Sequence, residues 1–153
     1  MKKILIALVI LVMTMPVMAQ EKPLNNMVFG GFNHDGSSVP IVGVGFSIPN
    51  TPLYEFAYTT LGVYGSLQTE TGWMFDLGEI YFAPIAGPGI SWQEVEPSAP
   101  NVYYLTGSSG LIAGVDFTDK VGVWAYGKYK FDFDGENYFQ NGYAYGAGLF
   151  VRF

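Results

Sequence analysis

The sequence predicts an all-β fold, a closed antiparallel up-and-down transmembrane β-barrel of eight strands. Three observations predict it. Segments that alternate with period two recur from Met27 to the last residue, and no stretch after the leader shows a sustained 3.6-residue apolar period with capping residues. Aromatic residues make up 17% of the chain and charged residues only 13%, with 20 glycines, whereas a soluble domain carries about 25% charged residues. Cysteine is absent, so an exported chain of this sequence has no disulfide to stabilise it and no thiol to act as ligand or nucleophile.

Residues 1–19 read as a secretory signal. Lys2 and Lys3 give a positive start, Ile4 to Val12 an apolar run, and Val17-Met18-Ala19 a cleavage site. The run is followed too soon by Gln20-Glu21-Lys22 to span a bilayer as a helix, which takes about 20 apolar residues. Export and cleavage near Ala19 are therefore expected, leaving residues 20–153 as one barrel domain without a Pro/Ser-rich linker or charge block. Cleavage removes two of the seven basic residues and none of the thirteen acidic ones, taking the net charge from −6 to about −8. That balance argues against nucleic acid as a partner.

The strands follow in order. Met27 to Asn33 and Val39 to Ile48 flank the turn-forming His34-Asp35-Gly36-Ser37-Ser38, and Pro49-Asn50-Thr51-Pro52 makes the next turn. Leu53 to Gly65 reads as a long third strand, with Tyr54, Phe56, Tyr58 and Tyr64 on an apolar face and Glu55, Ala57 and Thr59 opposite. Gln68-Thr69-Glu70-Thr71-Gly72 reads as a turn, and Trp73 to Phe82 as the return. Pro84, Gly87, Pro88 and Gly89 interrupt the alternation, and proline cannot donate to a ladder. A turn at Ala83 to Pro88 and a short fifth strand at Gly89 to Glu94 are expected there; one bulged strand over the same stretch would change the hairpin order.

Leu111 to Phe117 and Val121 to Phe133 form a hairpin about Thr118-Asp119-Lys120, and Gly142 to Phe153 is the last strand. In that strand Tyr143, Tyr145, Ala147, Leu149, Val151 and Phe153 share one broad face, and Gly142, Ala144, Gly146, Gly148, Phe150 and Arg152 the other. Glu94 to Asn101 and Asp134 to Asn141 fit the longer loops of one barrel end. Only a helix or a closed sheet satisfies its backbone in hydrocarbon, and eight strands of roughly 9–11 residues account for the chain after the signal.

A barrel this small is filled by side chains. Glu55, Asp76, Asp116, Lys128, Lys130 and Arg152 fall opposite their strands' apolar rows, so they are expected to pair as a charge network in the lumen, because buried charge demands a partner.

The terminal YAYGAGLFVRF resembles the last strand of small Gram-negative outer-membrane barrels, the opacity-protein and outer-membrane protein X-like families. The match is Phe153 at the end, Val151 and Leu149 at alternating positions, and Gly148 five residues before the end; Gly146 stands where the families usually have a polar residue. GLIAGVDFTDKVGVWAYGKYKF, Gly110 to Phe131, is similar to their penultimate hairpin. The resemblance covers the last third of the chain. It implies an outer-membrane location, contact with outer-membrane lipid, and recognition of Gly148, Val151 and Phe153 by the barrel-assembly machinery.

The expected function is a non-enzymatic membrane scaffold whose loops serve interaction with an extracellular partner or envelope integrity. A narrow pore or hydrophobic-solute channel is one alternative, a lipid-modifying outer-membrane enzyme another, and a soluble periplasmic barrel or sandwich a third. His34, the only histidine, lies with Asp35, Ser37 and Ser38 in a context that turn chemistry already explains; the enzymatic alternative rests on the likeness to lipid A palmitoyltransferases, which use His, Asp and Ser near the outer rim. No cofactor is expected. Asp132, Asp134 and Glu136 lack the spacing of a calcium loop, and Gly43-Val44-Gly45 and Gly146-Ala147-Gly148 open no helix that could cradle phosphate.

Overall fold

Backbone groups in a period-two chain find their partners on neighbouring strands, and here the sheet closes on itself through the pairing of β4 (Tyr64–Trp73) with β6 (Ile80–Gln93). In the computed structural model, which describes residues 26–36, 38–62, 64–93, 102–133 and 142–153, the strands are β1 (Met27–His34), β2 (Ser38–Ser47), β3 (Leu53–Thr60), β4 (Tyr64–Trp73), β5 (Phe75–Asp76), β6 (Ile80–Gln93), β7 (Val102–Asp116), β8 (Val121–Asp132) and β9 (Gly142–Arg152). β5 continues β4 past Met74 and pairs with the start of β6. Each strand is antiparallel to the next, β4 pairs with β6, and β9 returns to β1, closing an eight-stranded barrel.

Inward rows carry Met27, Phe29, Tyr54, Phe56, Tyr58, Trp124, Tyr126 and Phe150, all buried. Outward rows carry Val28, Phe32, Val42, Phe46, Leu67, Ile90, Leu105, Leu111, Tyr143, Tyr145, Leu149 and Val151, all exposed. An apolar inner core and an apolar outer wall coexist. In the inner core Phe29 meets Trp124 edge-on at 5.3 Å between ring centroids, and Trp124 stacks on Tyr126 at 5.5 Å.

Five expectations change, the first being that the strand expected from Leu111 to Phe117 begins at Val102 and ends at Asp116. The third strand ends at Thr60, not Gly65, and the chain turns at Leu61 and Gly62. Gln68 to Gly72 is no turn: it lies within β4, with Ser66, Gln68, Glu70 and Gly72 pointing inward. Trp73 to Phe82 is no single strand, because Leu77, Gly78 and Glu79 turn the chain between β5 and β6, with Gly78 at φ 97°. Finally, Ala83 to Pro88 is the middle of β6, a strand of 14 residues that absorbs the expected short fifth strand.

β6 tolerates its prolines because of where their missing donors point. The ladder to β7 is continuous from Ile80 to Gln93, whereas the ladder on the β4–β5 side lapses at Gly87 and Pro88, between Gln68↔Gly89 and Thr71↔Ala86, and again at Ala83 and Pro84, between Gly72↔Ile85 and Phe75↔Phe82. Both lapses fall on one side only. Gly87 is required at the first, since a Cβ on it would collide with the Thr69 carbonyl and Glu70 Cα.

Short turns at Ile48–Leu53, Asp76–Ile80 and Phe117–Val121 share one end with Met27 and Phe153. Gln93, Val102, Phe133 and Gly142 lie at the other end, and the expected longer loops at 94–101 and 134–141 lie outside the described residues, as does the expected signal at 1–19.

Candidate functional site

The inward rows turn polar above the aromatic layer. Glu70 projects from β4 into the lumen, where its carboxylate accepts from Lys128 Nζ of β8 at 2.8 Å and from Tyr58 Oη of β3 at 2.8 Å. Ser108 of β7 donates to the same oxygen, and Lys128 also donates to the Tyr58 hydroxyl. β3 and β8 stand on opposite sides of the barrel, so the cluster bridges the lumen's width. Glu70 and Lys128 side chains are each 2% exposed.

Tyr58 and Tyr126 supply more than hydrogen bonds. Their rings lie 4.6 and 5.1 Å from Lys128 Nζ, so the ammonium faces a carboxylate on one side and ring faces on others. A buried cation is thereby compensated from several directions, as a low-dielectric site requires. Towards the loop end, Gln68 Nε2 donates to Thr106 Oγ1 at 3.1 Å, Thr60 and Ser66 hydroxyls meet at 3.0 Å, and Tyr126 donates to Asn33.

Two further ion pairs sit nearer the ends. Lys130 Nζ meets Asp35 Oδ2 at 2.8 Å towards the loop end, and Arg152 Nη1 meets Asp116 Oδ2 at 2.6 Å towards the short-turn end. Arg152 packs against Tyr81 and Phe150, 5.3 and 5.0 Å from their centroids.

Of the six residues expected in a lumen network, Lys128, Lys130, Asp116 and Arg152 point inward and pair, with Glu70 and Asp35 completing two of the pairs. Glu55 does not belong to it: β3 turns Tyr54, Phe56 and Tyr58 inward and Glu55 outward, where it accepts from Thr71 Oγ1 at 2.6 Å. The reason is volume. A narrow lumen is filled by large side chains, so the aromatic row of β3 is the core and not the wall. Asp76 is likewise unpaired with any cation among the contacts described; it is exposed at the short-turn rim and accepts from the Gly78 N–H at 2.8 Å.

The expected assembly residues lie along β9. Gly148 faces inward where a Cβ would strike the Gly30 carbonyl and Gly31 Cα of β1, Val151 faces outward, and the Phe153 N–H donates to Asn26 O at 2.9 Å. His34 lies at the loop end of β1 with Nδ1 3.0 Å from Ser38 Oγ and its ring 4.9 Å from that of Tyr145. Ser37, Asp134 and Glu136 lie outside the described residues.

Glu70, Asp35, Tyr58 and Ser108 are not among the residues expected in the lumen network; Asp35 is weighed only beside His34, and Tyr58 is placed on the apolar face of its strand. Glu70 carried a usable signal, since Ser66, Gln68, Glu70 and Gly72 alternate with Leu67, Thr69, Thr71 and Trp73. That is a polar-in, apolar-out strand disguised by turn-forming residue types.

Closed sheet, apolar outer wall and polar lumen define a barrel of the transmembrane type. Its fold is similar to the N-terminal β-barrel domain of Pseudomonas aeruginosa OprF, with a TM-score of 0.67 at 11% identity over 86% of this chain and 100% of that one. It is similar also to a de novo designed transmembrane β-barrel, with a TM-score of 0.56 at 14% identity over 89% of this chain and 100% of the other. No family model matches the sequence, and no curated protein matches it.

Proposed function

We propose that the chain is a non-enzymatic outer-membrane barrel, exported with cleavage near Ala19, inserted by the barrel-assembly machinery through its Gly148, Val151 and Phe153 strand, and acting as a closed scaffold. The observation that carries the scaffold reading is the burial of the lumen. Tyr54, Glu70, Lys128 and Trp124 project from three different strands and are at most 4% exposed, a degree of burial that leaves no water column beside them. Lumen-facing groups of an open channel would be wetted.

The pore reading and this one part in planar bilayers. The scaffold gives a silent membrane after insertion; a stable stepwise current would replace it with the narrow pore.

The enzymatic reading has one contact in its favour, His34 with Ser38. Asp35, however, is engaged by Lys130 at 2.8 Å, so the carboxylate that would orient the imidazole in a triad serves an ion pair instead. Purified protein is expected to leave radiolabelled lipid A and phospholipid unchanged; acyl transfer or deacylation dependent on His34 would restore the enzyme.

A further inference from the structure

Among the described strand residues, Glu55 is the one charged side chain on the outward face. An ionisable group on a lipid-facing wall is costly unless something meets it. Its surroundings are also unlike the rest of the wall. Thr59, Thr69, Thr71 and Ser109 gather on the outward rows of β3, β4 and β7, whereas β1, β8 and β9 present Val28, Phe32, Val121, Tyr129, Leu149 and Val151. A depression of about 320 Å³ opens in this sector, lined by Leu53, Thr71, Trp73, Pro84, Ala86 and Ser109 among others.

Position and tether decide what the site can meet. Glu55 lies two residues beyond Leu53, where β3 leaves a short turn, so in a membrane it sits near the hydrocarbon boundary at the short-turn, periplasmic end. Thr71 is its register partner on β4 and holds Oε1 at 2.6 Å. The carboxylate is therefore drawn sideways to a residue that itself lines the depression, and not past the turn towards water.

We propose that this sector binds one phospholipid with a primary-amine headgroup, its ammonium at Glu55 and an acyl chain along the depression. The proposal rests on the outer-membrane reading above. An ionised carboxylate only accepts hydrogen bonds, and a primary ammonium offers three N–H donors with the opposite charge. An anionic headgroup would meet like charge, and a quaternary ammonium has no N–H to give. A second copy packed symmetrically on the same patch would bring two Glu55 carboxylates together.

Native mass spectrometry of the full-length mature protein, released from detergent after incubation with chain-matched phosphatidylethanolamine, phosphatidylcholine or phosphatidylglycerol, tests this. One bound phosphatidylethanolamine, retained at least several-fold over the other two, is expected. Glu55→Gln should bring its retention down to that of phosphatidylcholine, and Ser109→Phe, which fills the depression, should lower retention of all three. Both variants are checked for a folded, heat-modifiable barrel. Equal retention of the three lipids by wild type, an unchanged preference in Glu55→Gln, or a protein dimer occupying the site in place of lipid would overturn the proposal. A wild-type chain that fails to insert into vesicles removes the membrane reading itself; an inserted barrel without headgroup preference removes only the lipid site.

Discussion

Lys128 shows how a single residue couples sequence to architecture. Its place on the polar row of β8 follows from alternation alone, because Trp124, Tyr126, Lys128 and Lys130 share a face. Its partner does not, since Glu70 sits in a run of Gln, Thr, Glu, Thr and Gly that turn chemistry and strand chemistry both explain. Only closure of the sheet brings β4 within reach of β8. Breaking the pair should be costly: Glu70→Leu or Lys128→Met alone is expected to lower unfolding free energy by about 3–5 kcal/mol, because each strands a buried charge. The double variant should lose much less than the sum, as read by urea unfolding of the vesicle-inserted barrel in a double-mutant cycle. The same cycle applied to the three ion pairs should give coupling that falls with exposure: greatest for Glu70–Lys128 at 2%/2%, smaller for Asp116–Arg152 at 16%/10%, and smallest for Asp35–Lys130 at 23%/16%.

At the scale of elements, the strands with clean alternation were legible and those with mixed signals were not. β8 and β9 lie within a residue or two of the stretches expected from their patterns. β6 did not, because Pro84 and Pro88 mark a break in any sheet read without knowledge of its neighbours. The structure resolves this by placing the ladder's lapses on the β4–β5 side while keeping β7 fully paired. β3 was found but turned over, since hydrophobicity cannot tell wall from lumen when the lumen is itself aromatic. The close approach at the Gly87 lapse has a measurable consequence. Gly87→Val forces a Cβ into the Thr69 carbonyl and Glu70 Cα, and should destabilise the inserted barrel by at least about 1–3 kcal/mol, whereas Ala86→Val, which points to the outer wall, should leave its urea midpoint nearly unchanged.

For the whole molecule, the fold class and strand number followed from composition, alternation and length together, while the Glu70 cluster and the outward Glu55 needed three dimensions. The physical reason is the same for both: each depends on which strands become neighbours and which face turns in, and neither is encoded within one strand. We propose that this closed sheet resides in a bilayer, with an apolar wall outside and a packed polar and aromatic lumen within. Gel migration of the mature protein after detergent extraction, with and without heating, tests it most directly. A folded species that migrates apart from its heated form, and is recovered only with detergent or vesicles, is the predicted result; a mature protein that folds and stays soluble without either would contradict it.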